Sequence, residues 1–226
     1  MRNILKRLAS YFPERWRQEL KRVHWRRQIK KGTFRSSECE FNRLEEWVRP
    51  GDWVLDIGAN LGVYSLQLSK IVGPTGRVIA FEPVPQTFEL LAANMAYGPY
   101  RNITLLNAAV SEGTGPAGMN IPKEEETGLD SYYEAHLTSG EAELSVMCIA
   151  IDSLGIFGRI KLIKIDVEGE EILALKGMKD LLRRDHPILI VEGVSGEVES
   201  YLRELGYSLE KAEGSPNGVF LYSREN

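Results

Sequence analysis

The sequence is short of the residues that would set its character at a glance. Only two of its 226 residues are cysteine, Cys39 and Cys148, far apart and without metal-ligand spacing. That excludes a disulfide framework or a zinc cluster and leaves two buried thiols in a reducing compartment as the expectation. Three scattered histidines offer no metal centre, and of these only His136 sits where it would reach a substrate as a base. No apolar run approaches the roughly 18 residues of a membrane span. The N-terminus also lacks the apolar stretch and cleavage site of a secretory signal, so the expected location is cytoplasmic. At this length one good-sized core is the default.

Charge is plentiful but unevenly spread. Residues 1–35 carry twelve Lys or Arg against Glu14 and Glu19, a net +10, whereas residues 36–226 hold 16 basic and 30 acidic side chains, a net −14. The acidic body argues against a nucleic-acid groove, because such grooves need cations to replace phosphate counterions. The reading is therefore a basic arm over residues 1–35 and one domain over 36–226. In the arm, Ile4, Leu5, Leu8 and Phe12 recur at helical spacing before Pro13. After it, Trp16, Leu20 and Val23 form a stripe, with Arg15, Arg17, Lys21, Arg22 and Arg26 on the other faces. Two readings follow: a helix that packs on the domain, or an element that meets anionic lipid at the inner membrane surface or another polyanionic partner.

From Pro50 onward short β-rich runs alternate with helical segments. Strands are expected at Trp53 to Ile57, Arg77 to Phe81, Ile103 to Ala109, Lys161 to Asp166, Ile188 to Glu192, Tyr207 to Lys211 and Val219 to Tyr222. Helices are expected at Leu61 to Ile71, Gln86 to Ala96, Glu170 to Arg184 and Glu197 to Leu205. Only "EGSPNG" separates the last two strands, too little for a crossover helix, so they pair as an antiparallel hairpin. This predicts a doubly wound, mostly parallel, seven-stranded Rossmann-like α/β sheet with a terminal antiparallel hairpin, preceded by N-terminal helices. Residues 111–144 break the rhythm as a long polar insertion, placed to shape a pocket at the ligand end of the sheet.

In an open parallel sheet, ligands bind beyond the carboxyl ends of the strands. Here those ends carry Asp56, Glu82-Pro83, Asn107-Ala108, Asp166-Val167-Glu168 and Glu192. An acidic residue closing the second strand is placed to accept hydrogen bonds from both ribose hydroxyls, so Glu82 reads as a ribose clamp. The turn after the first strand reads G-A-N-L-G-V, with Asn60 where a dinucleotide turn wants its middle glycine. Asn tolerates the left-handed conformation, but its side chain crowds a pyrophosphate. A ligand with an amino-acid tail suits this edge better, and S-adenosylmethionine (SAM) is such a ligand.

The runs "VLDIGANLGVYS", "IAFEPVPQTFELLAANM", "LLNAAVSE", "IDSL", "LIKIDVEGEEILALKGM" and "PILIVEG", in this order, resemble the FkbM family of SAM-dependent methyltransferases over about residues 40–223. The resemblance implies the class I methyltransferase fold. It implies SAM held by the turn that contains Asp56, Gly58, Asn60, Gly62, Tyr64 and Ser65, by Glu82 with Pro83 and Val84 at the ribose, and by Asn107 and Ala108 near the adenine. It also implies O-methylation of sugars, natural products, or glycan or lipid-linked acceptors. Methyl transfer to a hydroxyl needs alignment, exclusion of water and removal of one proton. Asp166 and Glu168, on one side of an extended run, are the expected base or acceptor-orienting groups, with Glu192 able to join them and Asp166 also touching SAM. These three carboxylates would equally hold a divalent cation, but with no His nearby and no second ligand set a metal is not favoured. An NAD-dependent oxidoreductase or epimerase, disfavoured by Asn60 and the terminal hairpin, and a non-catalytic SAM-binding module are the alternatives.

Overall fold

A computed structural model describes residues 13–124, 129–211 and 215–223. Ile4, Leu5, Leu8 and Phe12 lie outside this set. Helices α1 (Glu14–Lys31) and α2 (Cys39–Trp47) lead into β1 (Trp53–Ile57), α3 (Val63–Val72), β2 (Arg77–Phe81), α4 (Pro85–Met95) and β3 (Ile103–Leu106). The chain then builds a second sheet from β4 (Ala109–Val110), β5 (Gly115–Asn120), β6 (His136–Thr138) and β7 (Leu144–Ile149). It returns as β8 (Ile160–Ile165), α5 (Glu171–Lys176), α6 (Lys179–Asp185), β9 (Ile188–Glu192), α7 (Gly196–Glu204), β10 (Tyr207–Lys211) and β11 (Asn217–Tyr222).

The main sheet has seven strands in the order β10-β11-β9-β8-β1-β2-β3. β1, β2, β3, β8 and β9 run parallel, and β11 is antiparallel to β9 and β10. Strands such as "VIAF" and "ILIV" are apolar on both faces because both faces are covered. On one side Val54, Val78, Leu162 and Ile190 pack under Phe41 and Leu44 of α2 and Leu68 of α3. On the other, Leu55, Phe81, Ile163 and Val191 meet Leu175, Leu182 and Leu202 of α5, α6 and α7. The chain winds one way from β1 and the other way from β8, and these strands are neighbours. The crevice beyond their carboxyl ends is thus the topological switch point, where such sheets bind ligands.

Three departures from the sequence reading have local causes. The third strand stops at Leu106, not Ala109, because Asn107 Nδ2 turns to donate to Glu82 O at 2.8 Å and Pro83 O at 2.9 Å. Ala109 and Val110 then join the second sheet beside β7. The helix expected over Glu170 to Arg184 breaks at Gly177, whose Cα packs so tightly on the Ser111 carbonyl that a Cβ would lie 2.0 Å from it. Asp152, from "IDSL", caps the restarted helix by accepting from Asp180 N and Leu181 N, both at 2.9 Å. The polar insertion is itself ordered around Met119, Ile121, Val146 and Cys148, which pack with Val84 and Ala109. Cys148 is buried as expected, but Cys39 is exposed. Helix α1 lies on the domain, with Trp25 and Ile29 against the cluster of Phe34, Leu61, Leu90 and Met95.

Two glycines shape the turn after β1. Gly58, at φ +74°, passes so near Asp166 that a Cβ would sit 1.7 Å from that residue's carbonyl oxygen. Gly62, at φ +85°, starts α3 where a Cβ would meet Leu91 and Met95, each at 2.5 Å. Backbone cannot yield as a side-chain tip can, so Gly58→Ala is expected to cost more than about 3 kcal/mol and to separate β1 from β8 at their ends. Denaturant unfolding measures the loss; a variant within about 1 kcal/mol of the parent would show that this approach is loose.

Candidate active site

Glu82 closes β2 and is 5% exposed. Its Oε2 accepts from Asn60 N at 2.9 Å and its Oε1 from Val84 N at 2.9 Å, so one carboxylate ties the turn after β1 to the loop before α4. Asn60 adopts φ +50°, which the side chain of Asn tolerates. Its Oδ1 is buried without a hydrogen-bond partner among the described residues. Burial pushes the Glu82 carboxyl up to about 7, against the two backbone donors.

A cleft opens over this clamp. Its floor is Gly58, Asn60, Glu82, Pro83, Val84 and Ala108, and one rim carries Asp166, Glu168 and Glu170. The second sheet supplies the facing wall through Ala109, Val110, Met119, Leu137 and the preceding Tyr132, Tyr133, Ala135 and His136. Of the residues expected at the site, Gly58, Asn60, Glu82, Pro83, Val84, Ala108, Asp166 and Glu168 thus come together. Asp56, Gly62, Tyr64 and Ser65 stand behind the turn, outside the lining formed by the described residues. Ser65 donates its hydroxyl to Asp56, which is 2% exposed and raised to about 6 by burial. Tyr64 is buried edge-on to Phe41 at 5.1 Å and donates to Glu38; burial first and Glu38 second push its phenol far up. Asn107 holds backbone, as described above, and does not line the cleft.

The rim corrects one inference. β8 ends at Ile165, so Asp166 and Glu168 lie on a turn and strand alternation does not set their side. Both still reach the cleft. Glu192 is instead behind Asp166, and between them stands Lys164, which sequence reasoning passed over. Lys164 is 1% exposed, with its Nζ 3.3 Å from Asp166 Oδ2, 3.7 Å from Glu192 Oε2 and 5.4 Å from the centre of the Tyr64 ring. Neither carboxylate contact has hydrogen-bond geometry, so the attraction is Coulombic. Its signal was present as a lysine inside the apolar run "LIKI" of β8. Glu192 is raised to about 7, first by the hydrogen bond it shares with Asp166, then by burial. Burial also raises Glu168 and Glu170, with the charge of His136 opposing it at both. No group of three or more His, Cys, Asp or Glu among the described residues is arranged to hold a metal ion.

The profile of the Methyltransferase FkbM domain matches residues 56–209. The chain belongs to the FkbM methyltransferase family. Family relatives agree: the 31-O-demethyl-FK506 methyltransferase FkbM of Streptomyces tacrolimicus is 31% identical over 199 residues, covering 72% of this chain and 75% of that one. Methyltransferase sdnD of Sordaria araneosa is 26% identical over 208 residues, with 73% and 78% coverage. The hexuronic acid methyltransferase AglP of Haloferax volcanii is 27% identical over 150 residues, with 65% and 58% coverage. Among solved structures, the methyltransferase FkbM of Methylobacillus flagellatus superposes with TM-score 0.52 at 18% identity, covering 81% of this chain, which spans 50% of that one. SMU.1697c of Streptococcus mutans, a putative methyltransferase in complex with SAH, gives 0.50 at 12% identity, with 79% and 92% coverage.

This FkbM family member is a SAM-dependent methyltransferase on a class I fold. The cleft fits SAM: Glu82 offers acceptors for ribose hydroxyls, the orphaned Asn60 Oδ1 offers one more, and Val84, Ala108 and Met119 provide an apolar berth. Two patterns of other chemistries lie elsewhere. Gly113-x-Gly115-x-x-Gly118 leads into β5 and opens no helix, and Tyr207-x-x-x-Lys211 lies along β10 with Tyr207 buried.

Two outcomes test the electrostatics. The folded carboxyls of Glu82 and Asp56 are raised to about 7 and about 6, from 4.5 and 3.8, so the fold binds their protons more tightly than the unfolded chain does. Their contribution is full below about pH 4 and is lost as pH rises through 7, on the order of 3 kcal/mol for Glu82. Unfolding free energy of the ligand-free protein should therefore fall from pH 4.5 to 7.5, with a flatter slope in Glu82→Gln; identical slopes would contradict the buried titration. Lys164→Met removes the cation whose charge lowers the Glu192 carboxyl. Glu192 should then titrate higher, as read by carboxyl NMR across a pH series, with stability changed by less than about 2 kcal/mol because that carboxylate reaches water; an unmoved Glu192 would show that Lys164 does not act on it.

Proposed function

We propose that this methyltransferase acts on a hydroxyl oxygen of a sugar, glycan or natural-product acceptor. The observation that carries this reading is the rim: Asp166 and Glu168 face a cleft whose other wall is a separate sheet with Tyr133 and His136 at its mouth. A hydroxyl acceptor must lose a proton, and a carboxylate at the mouth takes it. SAM, when bound, supplies a methyl group on a sulfonium whose departure needs no acid. The protein's own part is to align the acceptor, keep water out and receive the proton. Asp166 is the assigned base or orienting group, with Lys164 Nζ 3.3 Å from its Oδ2 and Glu168 beside it on the turn. Two relatives support this acceptor class: a hexuronic acid methyltransferase for a sugar, and a 31-O-demethyl-FK506 methyltransferase for transfer to oxygen. Glu82, by this reading, holds the ribose.

The roles separate in a binding and turnover comparison, with a panel of uronic-acid glycosides and hydroxylated macrolides as acceptors. Glu82→Ala is expected to weaken SAM binding by about 2 to 4 kcal/mol through lost charge-assisted hydrogen bonds. Asp166→Asn is expected to reduce single-turnover methyl transfer at least about a hundredfold with little change in SAM affinity, because a proton acceptor acts in the transition state. Calorimetry and the rate of demethylated product formation read the two. Equal losses of binding and turnover in Asp166→Asn would make it a cofactor-positioning residue, and transfer to a nitrogen or carbon acceptor alone would overturn the hydroxyl assignment.

A further inference from the structure

Helix α1 has two working faces. Gln18, Arg22, Trp25 and Ile29 turn towards the domain, where Arg22 pairs with Glu89 of α4 at 3.0 Å. On the opposite face Trp16, Leu20 and Val23, four and three residues apart, are 65%, 59% and 48% exposed. Large apolar side chains left outside on a helix that already has a packed face need a partner. Beside this stripe Arg15, Arg27, Lys30 and Lys31 make no ion pair among the described residues. The helix carries eight cations against Glu14 and Glu19, a net +6. Of the two anions, Glu14 accepts from Tyr132 at 2.8 Å and Glu19 lies 3.5 Å from Arg22.

We infer that α1 is a docking face for an anionic lipid surface, with Trp16, Leu20 and Val23 entering the headgroup boundary and Arg27, Lys30 and Lys31 meeting the lipid phosphates. The charge map fixes the orientation, since residues 36–226, at net −14, are repelled by the surface that attracts α1. A nucleic acid would use the cations but gains nothing from Leu20 and Val23, whereas a lipid boundary uses both. A second copy would set two +6 helices against each other. Docking in this sense carries a positional consequence. Tyr132 lines the cleft and is held by Glu14 and by Lys21, whose Nζ is 5.5 Å from its ring centre, so the α1 face and the acceptor wall travel together. The assignment stands independently of which acceptor is methylated.

The test uses the full chain and vesicles of phosphatidylglycerol and phosphatidylcholine in equal parts, against vesicles of phosphatidylcholine alone. Partition at low salt should favour the anionic vesicles by at least about tenfold. It should be lost near 1 M salt, where screening is nearly complete. Trp16→Ser with Leu20→Ser, and separately Arg27→Glu with Lys30→Glu, should each reduce partition by at least about tenfold, while SAM binding and the melting temperature stay at parental values. Partition that is absent, or equal for both vesicle types, or unchanged by the Trp16/Leu20 pair, overturns the inference. So does binding of single-stranded RNA in preference to anionic vesicles, or a self-association that the Trp16/Leu20 pair dissolves while vesicles are ignored.

Discussion

The site depends on one buried carboxylate that makes two backbone hydrogen bonds. Glu82 accepts from the turn after β1 with one oxygen and from the loop before α4 with the other, and so sets the width of the crevice between them. A neutral side chain of the same shape would not serve, because both partners are donors and Gln offers only one acceptor. The cost is a carboxyl held in low dielectric. The fold bears it where the two donors are fixed and a ligand with hydroxyl groups can add more. The close passage of Gly58 against Asp166 acts on the other side of the same crevice, so the floor and the rim of the cleft are held at one fixed separation.

Carboxylates crowd this end of the sheet, yet they differ in what surrounds them. Asp56 is sealed behind the turn with Ser65 as its donor, Glu82 answers to backbone, and Asp166 and Glu192 stand on either side of one lysine. Like charges at such spacing raise one another's proton affinity, and Lys164 counters this at the rim. In the proposed assignment, proton uptake at Asp166 and cofactor contact at Glu82 fall to groups with different electrostatic surroundings, although both line the same cleft.

The main sheet was legible because its strands obey a simple rule: apolar on both faces, ending in a polar residue at the ligand edge. β1, β2, β9 and β10 fall on the expected residues, and the terminal hairpin followed from a connection too short to cross the sheet. What was misread turns on tertiary contact. Nothing local in "LLNAAV" says that Asn107 bonds across to Glu82 and Pro83, or that Gly177 must yield to the Ser111 carbonyl. Residues 111–144 hid a sheet because β5 carries two glycines and a proline and β6 spans only three residues, and the apolar cluster is completed by Val84, Ala109, Val146 and Cys148 from outside that stretch. At the site, residue types pointed to the right edge, but motif membership did not separate groups that face the cleft from those that brace it. Tyr64 and Ser65 brace, and Lys164 carries its charge between two expected residues without belonging to any pattern searched for.

The wall and the floor of the cleft come from different parts of the chain. The floor belongs to β1, β2 and their loops, while most of the wall is a sheet spliced between β3 and β8 with an apolar centre largely its own. A change on the cleft side of β6 or the segment before it, such as at Tyr133 or His136, therefore leaves the strand pairings of the main sheet untouched. Remodelling of that single contiguous stretch of some forty residues would reshape the wall of the cleft and leave its floor as it is.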